Sequence, residues 1–325
     1  MSSVLLPLRG FRFSIGLAYV LMAVGVRGLA LPEWRSALLA TLVFGLGLGL
    51  GLPATNVLIS SVSPGRRASA LSILNFCWGL GAVLAPFALS IAMNQNHVTT
   101  FVSLLSGLLL LVTLTLAFAK EGDQLRSYKQ SAGGQQVFSN WPSVAIVGGM
   151  FFLYVAIESS VGGWIATLVE RAPSGVGRTW VLAPSLFWGG LLAGRGIVPL
   201  LLKRMRERTL ALASLVVATA GMCVLVLSSP WQWLTAAGLV VGFGLAAVFP
   251  ITIALLSRFQ EREKRIAGPM FALAGLGGTT MPWLVGAIST SFGSLHTGLI
   301  APLLGSGLLL WLHVIGNDGD QHVDA

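Results

Sequence analysis

Residues 67–86 read RASALSILNFCWGLGAVLAP, and residues 265–282 read RIAGPMFALAGLGGTTMP. Each stretch opens on a basic residue, continues as an apolar helix through Gly-Leu-Gly, and then reaches a proline. Gly79 precedes Gly275, and Pro86 precedes Pro282, by the same 196 residues. Uncharged apolar runs of this length are typical of helices that cross a bilayer. The two stretches therefore indicate a membrane protein with an internal repeat.

The composition of the whole chain supports a membrane location. Charged residues make up 10% of the 325 residues, against roughly 25% in an average soluble protein, and the mean hydropathy is +0.83. A soluble fold of this size could not cover its surface with so few charges. The net charge of +9 comes from short loops between apolar runs, which is a topology signal and argues against nucleic-acid binding.

The hydropathy pattern predicts an all-α transmembrane bundle of about ten spans. Several spans exceed the roughly 20 residues that a crossing needs, which predicts tilt. The predicted spans are 13–31, 36–62, 68–92, 98–118, 143–169, 179–202, 209–228, 231–256, 266–290 and 296–315.

The Lys and Arg residues predict how these spans are oriented. Fifteen of them fall in one set of loops, four fall in the opposite set, and Arg195 lies inside a span. Because basic loops stay on the cytoplasmic side, we expect a multi-pass protein of the plasma (cytoplasmic, inner) membrane with both termini in the cytoplasm.

The repeat divides the chain into unequal parts. We predict an incomplete N-terminal bundle of four spans over 1–118, a cytoplasmic linker over 119–142, a six-helix bundle over 143–316 and an acidic tail over 317–325. Both copies run in the same direction, so the repeat is parallel rather than inverted, and this argues against a carrier with inverted five-helix halves. The first two helices of the second bundle would map before Met1, so we expect a six-plus-six protein without its first two helices.

Four stretches resemble the major facilitator superfamily, and within it the fucose-permease-like sugar transporters. They are GLGLGLPATN (47–56), SALSILNFCWGLGAVLAP (69–86), YVAIESSVGGW (154–164) and SLFWGGLLAGR (185–195). The resemblance implies a major-facilitator-like bundle that works by alternating access, usually with proton coupling. The group's fourth-helix acid has no counterpart, because residues 52–55 before Asn56 are LPAT.

Glu158 is the acidic residue deepest inside a predicted span. A carboxylate near the bilayer midplane costs several kcal/mol unless it faces a cavity or a partner. We interpret Glu158 either as a proton carrier or as an ion-paired or neutral acid that locks two helices together.

Arg195 is the matching basic residue, and it has three interpretations. From the 1.5 Å rise per residue, its depth differs from that of Glu158 by roughly 12 Å. A direct salt bridge is therefore expected only if both side chains reach toward each other. Otherwise Arg195 snorkels to the cytoplasmic surface or braces the loop at 203–208.

Other candidate residues lie on helices that would line a central cavity in this architecture. The polar candidates could instead form hydrogen bonds between helices. The aromatic candidates could instead anchor the protein at the membrane interface. For Trp164, near an outer end, the interface is the favoured interpretation. The substrate-binding candidates are Asn56, Asn75, Thr252, Thr279, Trp78 and Trp188.

No metal or cofactor site is predicted. The four histidines are scattered without ligand spacing, and Cys77 and Cys223 read as small apolar side chains within helices. The glycine run at 45–51 lies within a helix and does not follow a strand, so it is not a nucleotide fingerprint. An enzyme is therefore not expected.

The sequence leaves three functions open. The leading hypothesis is a secondary active transporter, a symporter of a sugar or similar small polar metabolite, working as a monomer with the bilayer, the solute and protons as its partners. The alternatives are a drug-efflux-type transporter, which suits an apolar cavity with one carboxylate, and a truncated, non-transporting membrane protein.

Overall fold

The computed structural model describes residues 2–62, 67–118, 141–173, 179–262 and 267–316. Over these ranges the chain is helical, as predicted. The helices are α1 (Ser2–Gly28), α2 (Trp34–Val62), α3 (Arg67–Asn94), α4 (Val98–Phe118), α5 (Trp141–Glu170), α6 (Ala183–Leu201), α7 (Glu207–Leu227), α8 (Trp231–Leu245), α9 (Val248–Arg262), α10 (Ala267–Phe292), α11 (Leu295–Gly298) and α12 (Ile300–Gly316). A short 3₁₀ turn, Thr179–Leu182, precedes α6.

Within the described residues, ten helical segments are long and apolar enough to cross a membrane. Their positions agree with the ten predicted spans, so the fold class is confirmed. They are Gly10–Gly28, Trp34–Asn56, Ile73–Asn94, Val98–Leu116, Pro142–Glu170, Trp180–Leu201, Glu207–Leu227, Trp231–Leu256, Pro269–Phe292 and Leu295–Gly316.

Two of these segments differ in detail from the prediction. α1 begins at Ser2, before the predicted span, and bends at Gly10, whose φ of 85° is readily adopted only by glycine. The eighth segment is interrupted between Leu245 and Val248. Pro250 accounts for this interruption, because it has no N–H to donate and its ring crowds the carbonyl of Ala246 four residues earlier.

The chain divides into two compact units. The first unit comprises Met1–Trp78 and Ile91–Gln135, and the second comprises Gly79–Ser90 and Gln136–Ala325. The predicted linker over 119–142, apart from its last two residues, and the predicted tail over 317–325 lie outside the described residues. The predicted domain boundaries therefore stay a prediction.

In the first unit, α1 packs against α2 and α4. Phe11, Ile15 and Ala54 form its buried apolar cluster. Two hydrogen bonds join α1 to α4: the Ser106 hydroxyl donates to the carbonyl of Ala23 (3.0 Å), and Arg12 Nε donates to the carbonyl of Leu116 (3.1 Å).

The second unit contains most of the buried apolar residues, with α5 at its centre. α5 packs against α6, α8, α9, α10 and α12, and many of its side chains are buried, among them Phe151, Tyr154 and Ile157. A segment enclosed on so many sides can hold a polar side chain away from lipid, which a peripheral helix cannot.

Close glycine contacts hold consecutive helices together in each unit. Gly47 of α2 lies against the backbone of Ala18 in α1, and Gly244 of α8 lies against the backbone of Ala218 in α7. In both pairs a glycine lets two helix backbones approach closely, as small residues do in membrane proteins. The α1–α2 pair and the α7–α8 pair each contain such a contact, and the repeat itself stays a prediction.

Candidate functional site: a polar triad inside the helical bundle

Glu158 and Arg195 form an ion pair inside the second unit. Nη2 of Arg195 lies 3.4 Å from Oε1 of Glu158, and the side chains of Arg195 and Glu158 are 24% and 12% exposed. Glu158 belongs to α5 and Arg195 to α6, so the pair joins two membrane-length helices. Of the three interpretations of Arg195, the structure shows the direct pair rather than snorkelling or bracing of the loop at 203–208.

Tyr154 completes the pair to a triad. Its hydroxyl donates to Oε1 of Glu158 at 3.1 Å and accepts from Nη2 of Arg195 at 3.2 Å. The side chain is only 1% exposed. Tyr154, Glu158 and Arg195 are called the buried triad below.

Tyr154 was not among the site residues predicted from the sequence, although the sequence contains a signal for it. Tyr154 precedes Glu158 by four residues, a spacing that places both side chains on the same face of a helix. A tyrosine hydroxyl one turn from an intramembrane carboxylate is a natural hydrogen-bond donor to it.

Aromatic side chains hold Tyr154 in place. Its ring stacks on Phe249 of α9, with centroids 5.1 Å apart and an interplanar angle of 26°. Phe151, one turn earlier on α5, meets Phe249 edge-on at 5.9 Å and Phe271 of α10 at 5.6 Å. These contacts fix the hydroxyl at the ion pair, because a ring clamped on its face cannot easily leave its rotamer.

Glycine contacts position Arg195. Its neighbour Gly194 packs so tightly against α8 that a Cβ there would overlap the Cβ of Ala246. Gly190, one turn earlier, lies in the same way against the carbonyl of Leu239. The close approach of α6 to α8 fixes the backbone from which Arg195 extends toward α5.

Trp188 lies in α6 at its interface with α5, the two helices that contain the triad. Its ring contacts Phe187 edge-on, with centroids 4.9 Å apart, and it lies against Gly162 of α5. Gly162 is one turn beyond Glu158, so this indole is near the triad along the α5–α6 interface.

The two threonine candidates occupy different environments in the second unit. Thr252 is 1% exposed, and its hydroxyl donates to the carbonyl of Val248 at 2.8 Å. It lines a separate cavity at one end of the unit. Thr279 is exposed, and its hydroxyl lies 3.0 Å from the carbonyl of Leu276 in its own helix.

The remaining candidates belong to the first unit. Asn56 is half-buried, and its side-chain amide donates to the carbonyl of Leu52 at 2.8 Å. Asn75 and Trp78 are exposed on α3, Trp78 at 43%. The role of these three residues in substrate binding stays a prediction.

Trp164, which the sequence places at the membrane interface, makes a specific contact. Its Nε1 donates to the carbonyl of Pro282 in α10 at 3.0 Å. The side chain therefore joins α5 to α10, in addition to any interfacial role.

Among the described residues, no group of three or more His, Cys, Asp or Glu side chains could hold a metal ion. Cys77 and Cys223 are both free thiols. The polar chemistry of the buried triad is that of a carboxylate, a phenol and a guanidinium, which can exchange a proton and hydrogen-bond a polar solute.

Comparison with known proteins identifies the family. The model of the Major Facilitator Superfamily matches residues 4–265. This chain belongs to the Major Facilitator Superfamily. The match covers most of the protein and confirms the resemblance noted in the sequence.

Several curated relatives of this chain are named as sugar transporters. The chain is 25% identical to "Sodium-dependent glucose transporter 1" of Danio rerio, over 84% of this chain and 52% of that protein. It is 20% identical to "Glucose/mannose transporter GlcP" of Bacillus subtilis, over 84% of this chain and 70% of that protein. The chain thus spans about half the length of the zebrafish relative. These relatives are named as transporters, not as enzymes, in agreement with the sequence prediction.

Solved structures of the superfamily share the fold. The outward conformation of the transporter FucP aligns with a TM-score of 0.67 and 16% identity, over 97% of this chain and 85% of that one. A mutant of the nucleoside transporter NupG aligns with a TM-score of 0.68 and 15% identity, over 97% of this chain and 86% of that one. At these identities the likeness establishes the fold alone.

Proposed function

We propose that this superfamily member is a secondary active transporter of a sugar or similar small polar metabolite. The observation that carries this proposal is the buried triad, an ion pair with a bridging phenol inside membrane-length helices. Ionisable groups at membrane depth are costly, and they commonly mark solute or proton pathways. The relatives named as glucose and glucose/mannose transporters support a sugar as the solute.

The triad supplies a physical route for proton coupling. While Glu158 is ionised, the pair with Arg195 is close to neutral and tolerates a dry environment. Protonation of Glu158 leaves the Arg195 charge uncompensated, and that charge then favours a state in which the guanidinium meets water or the hydroxyl groups of a solute. Proton binding therefore shifts the equilibrium toward one state of an alternating-access cycle. Any ligand that binds two states with different affinities shifts their equilibrium in this way.

The location of the site along the chain suits this mechanism. The triad is within α5 and α6, the first two helices of the predicted six-helix half, and alternating access commonly works by one repeated half moving against the other. We further propose that both termini are cytoplasmic, that the membrane is the plasma membrane, and that the working unit is a monomer.

Transport by the reconstituted protein tests this function. The full chain is incorporated into proteoliposomes, a pH gradient is imposed, and uptake of labelled glucose, mannose and fucose is measured against empty liposomes. We expect accumulation of at least one hexose that collapses when a protonophore removes the gradient. Transport of tetraphenylphosphonium without any hexose would instead support the drug-efflux alternative. Absence of transport for every solute would support a non-transporting protein.

The triad itself argues against the drug-efflux alternative. An apolar cavity that captures lipophilic cations needs a carboxylate with an unsatisfied negative charge. Here Oε1 of Glu158 accepts from Tyr154 and faces a guanidinium. A polar solute with several hydroxyl groups matches the donors and acceptors of this site better.

A further inference from the structure

A cavity lined by both charged and aliphatic side chains lies in the second unit, outside the buried triad. It has a volume of about 310 Å³ and is bounded by the start of α7, the first half of α9 and the end of α12. This volume is at the lower end of the range of small-molecule sites. Two aliphatic side chains line it together with Arg206, Glu207, Arg208, Thr252 and His313.

The outer wall of this cavity is basic. Arg206 is exposed at the mouth, and Glu207 and Arg208 are half-buried. The Arg208 guanidinium donates to the carbonyl of Val314 at 3.2 Å, which holds it beside the end of α12. Two guanidinium groups outweigh one carboxylate at this wall. The wall therefore favours an anion, and guanidinium groups bind phosphate oxygens particularly well.

The inner wall offers hydrogen-bond acceptors. Thr252 and His313 are only 1% and 2% exposed. The Thr252 hydroxyl already donates to the carbonyl of Val248, so its remaining capacity is to accept. Nδ1 of His313 lies 3.0 Å from the carbonyl of Leu309, which can only accept, so in the neutral ring Nδ1 bears the hydrogen and Nε2 is an acceptor.

We propose that this cavity binds a phosphate ester that carries hydroxyl groups, with the phosphate at Arg206 and Arg208 and a hydroxyl directed at Thr252 and His313. The glycerol headgroup of phosphatidylglycerol and soluble glycerol 3-phosphate share this chemistry. The loop at 203–208 is predicted to be cytoplasmic, where anionic lipid headgroups meet basic side chains. A bound ester would join the start of α7, the first half of α9 and the end of α12.

Native mass spectrometry of the full chain in detergent measures ligand binding and thereby tests this site. The probes are dioleoylphosphatidylglycerol, dioleoylphosphatidylethanol, which has the same phosphodiester without headgroup hydroxyls, and glycerol 3-phosphate. Arg206→Ala/Arg208→Ala should weaken phosphatidylglycerol binding about tenfold or more, because two charge-assisted contacts are lost. The control Lys203→Ala/Arg204→Ala removes the same charge from the same loop outside the cavity lining, and it should retain most of the affinity.

A second variant keeps the proposal testable if the double arginine variant does not fold. Thr252→Val preserves both arginines and should erase the preference for phosphatidylglycerol over phosphatidylethanol. Arginine-dependent binding of glycerol 3-phosphate would assign the site to a soluble ester, and arginine-dependent binding of the lipid alone would assign it to the bilayer. Equal loss of binding in the two double variants, or equal affinity of the wild-type protein for the two lipids, would overturn the proposal.

Discussion

Nη2 of Arg195 lies 3.4 Å from Oε1 of Glu158, although a straight-helix estimate separates their depths by roughly 12 Å. The contact forms although the estimate allowed it only if both side chains reach toward each other. The pair joins α5 to α6, and Tyr154 bridges it through one hydroxyl. The three residues therefore act as one electrostatic unit. A substitution of any one of them leaves a charge or a hydrogen-bonding group of the other two without its partner.

Glu158→Gln tests proton coupling. The amide keeps the shape and an acceptor oxygen but cannot exchange a proton, so accumulation driven by a pH gradient should fall by about tenfold or more. Exchange of solute at equal pH on both sides should persist, because it needs no net proton movement. Both quantities are measured in proteoliposomes.

Glu170→Gln is the control for this experiment. Glu170 is exposed at the end of the same helix, α5, and its neutralisation should leave the response to the gradient unchanged. Accumulation by Glu158→Gln with an unaltered pH dependence would refute the role of Glu158 as the proton carrier.

The helical framework could be predicted from the sequence because lipid imposes a simple rule. Every backbone polar group must be satisfied within the segment, so apolar runs of sufficient length become helices. The spans around Glu158 and Arg195 were placed correctly for this reason. The bend at Gly10 and the interruption before Pro250 depend on single backbone angles and single missing hydrogen bonds, which do not show in hydropathy.

The site was only partly predictable for a different reason. Glu158 and Arg195 stood out because charge is rare at that depth, whereas Tyr154 resembles any amphipathic aromatic residue until its partners are known. The pairing itself depends on how α6 approaches α5 and α8 through Gly194. That approach is a property of tertiary packing, so the sequence left the role of Arg195 open.

Arg195→Gln and the double variant Arg195→Gln/Glu158→Gln test the ion pair. Removal of one partner leaves a buried charge and should destabilise the protein by about 3–5 kcal/mol. The double variant should be more stable than the sum of the two single losses predicts, with a coupling of roughly 0.5–3 kcal/mol. Thermal unfolding in detergent supplies the comparison, and strictly additive losses would show that the pair contributes no mutual stabilisation.

Tyr154→Phe tests the bridging hydroxyl. The ring that stacks on Phe249 is retained, while the donor to Glu158 and the acceptor for Arg195 are removed. We expect a loss of about 1–3 kcal/mol in stability, because buried charged groups lose a hydrogen-bond partner, together with an altered pH profile of uptake. Tyr19→Phe in α1 is the control, because it removes a tyrosine hydroxyl outside the triad. A Tyr154→Phe protein with both properties unchanged would mean that the hydroxyl has no positioning role.

Gly242→Ala and Gly49→Ala form a matched pair across the internal repeat. The two glycines occupy corresponding positions 193 residues apart, but their surroundings differ. A Cβ at Gly242 would overlap the carbonyl oxygen of Phe187 in α6, whereas no atom of the described residues lies within 4 Å of a Cβ built at Gly49. Gly242→Ala should therefore force α8 away from α6 and cost about 1–3 kcal/mol, the usual range for overpacking.

Gly49→Ala should be neutral or slightly stabilising, because alanine favours a helix interior over glycine by up to about 1 kcal/mol. Thermal unfolding of both variants in the same detergent measures the difference. Because α6 bears Arg195, Gly242→Ala should also weaken coupling between Arg195 and Glu158 in the double-variant analysis, while Gly49→Ala should not. Equal melting temperatures for the two variants would show that the close α6–α8 contact does not limit stability. Unchanged Arg195–Glu158 coupling in Gly242→Ala would show that this contact does not hold the triad in place.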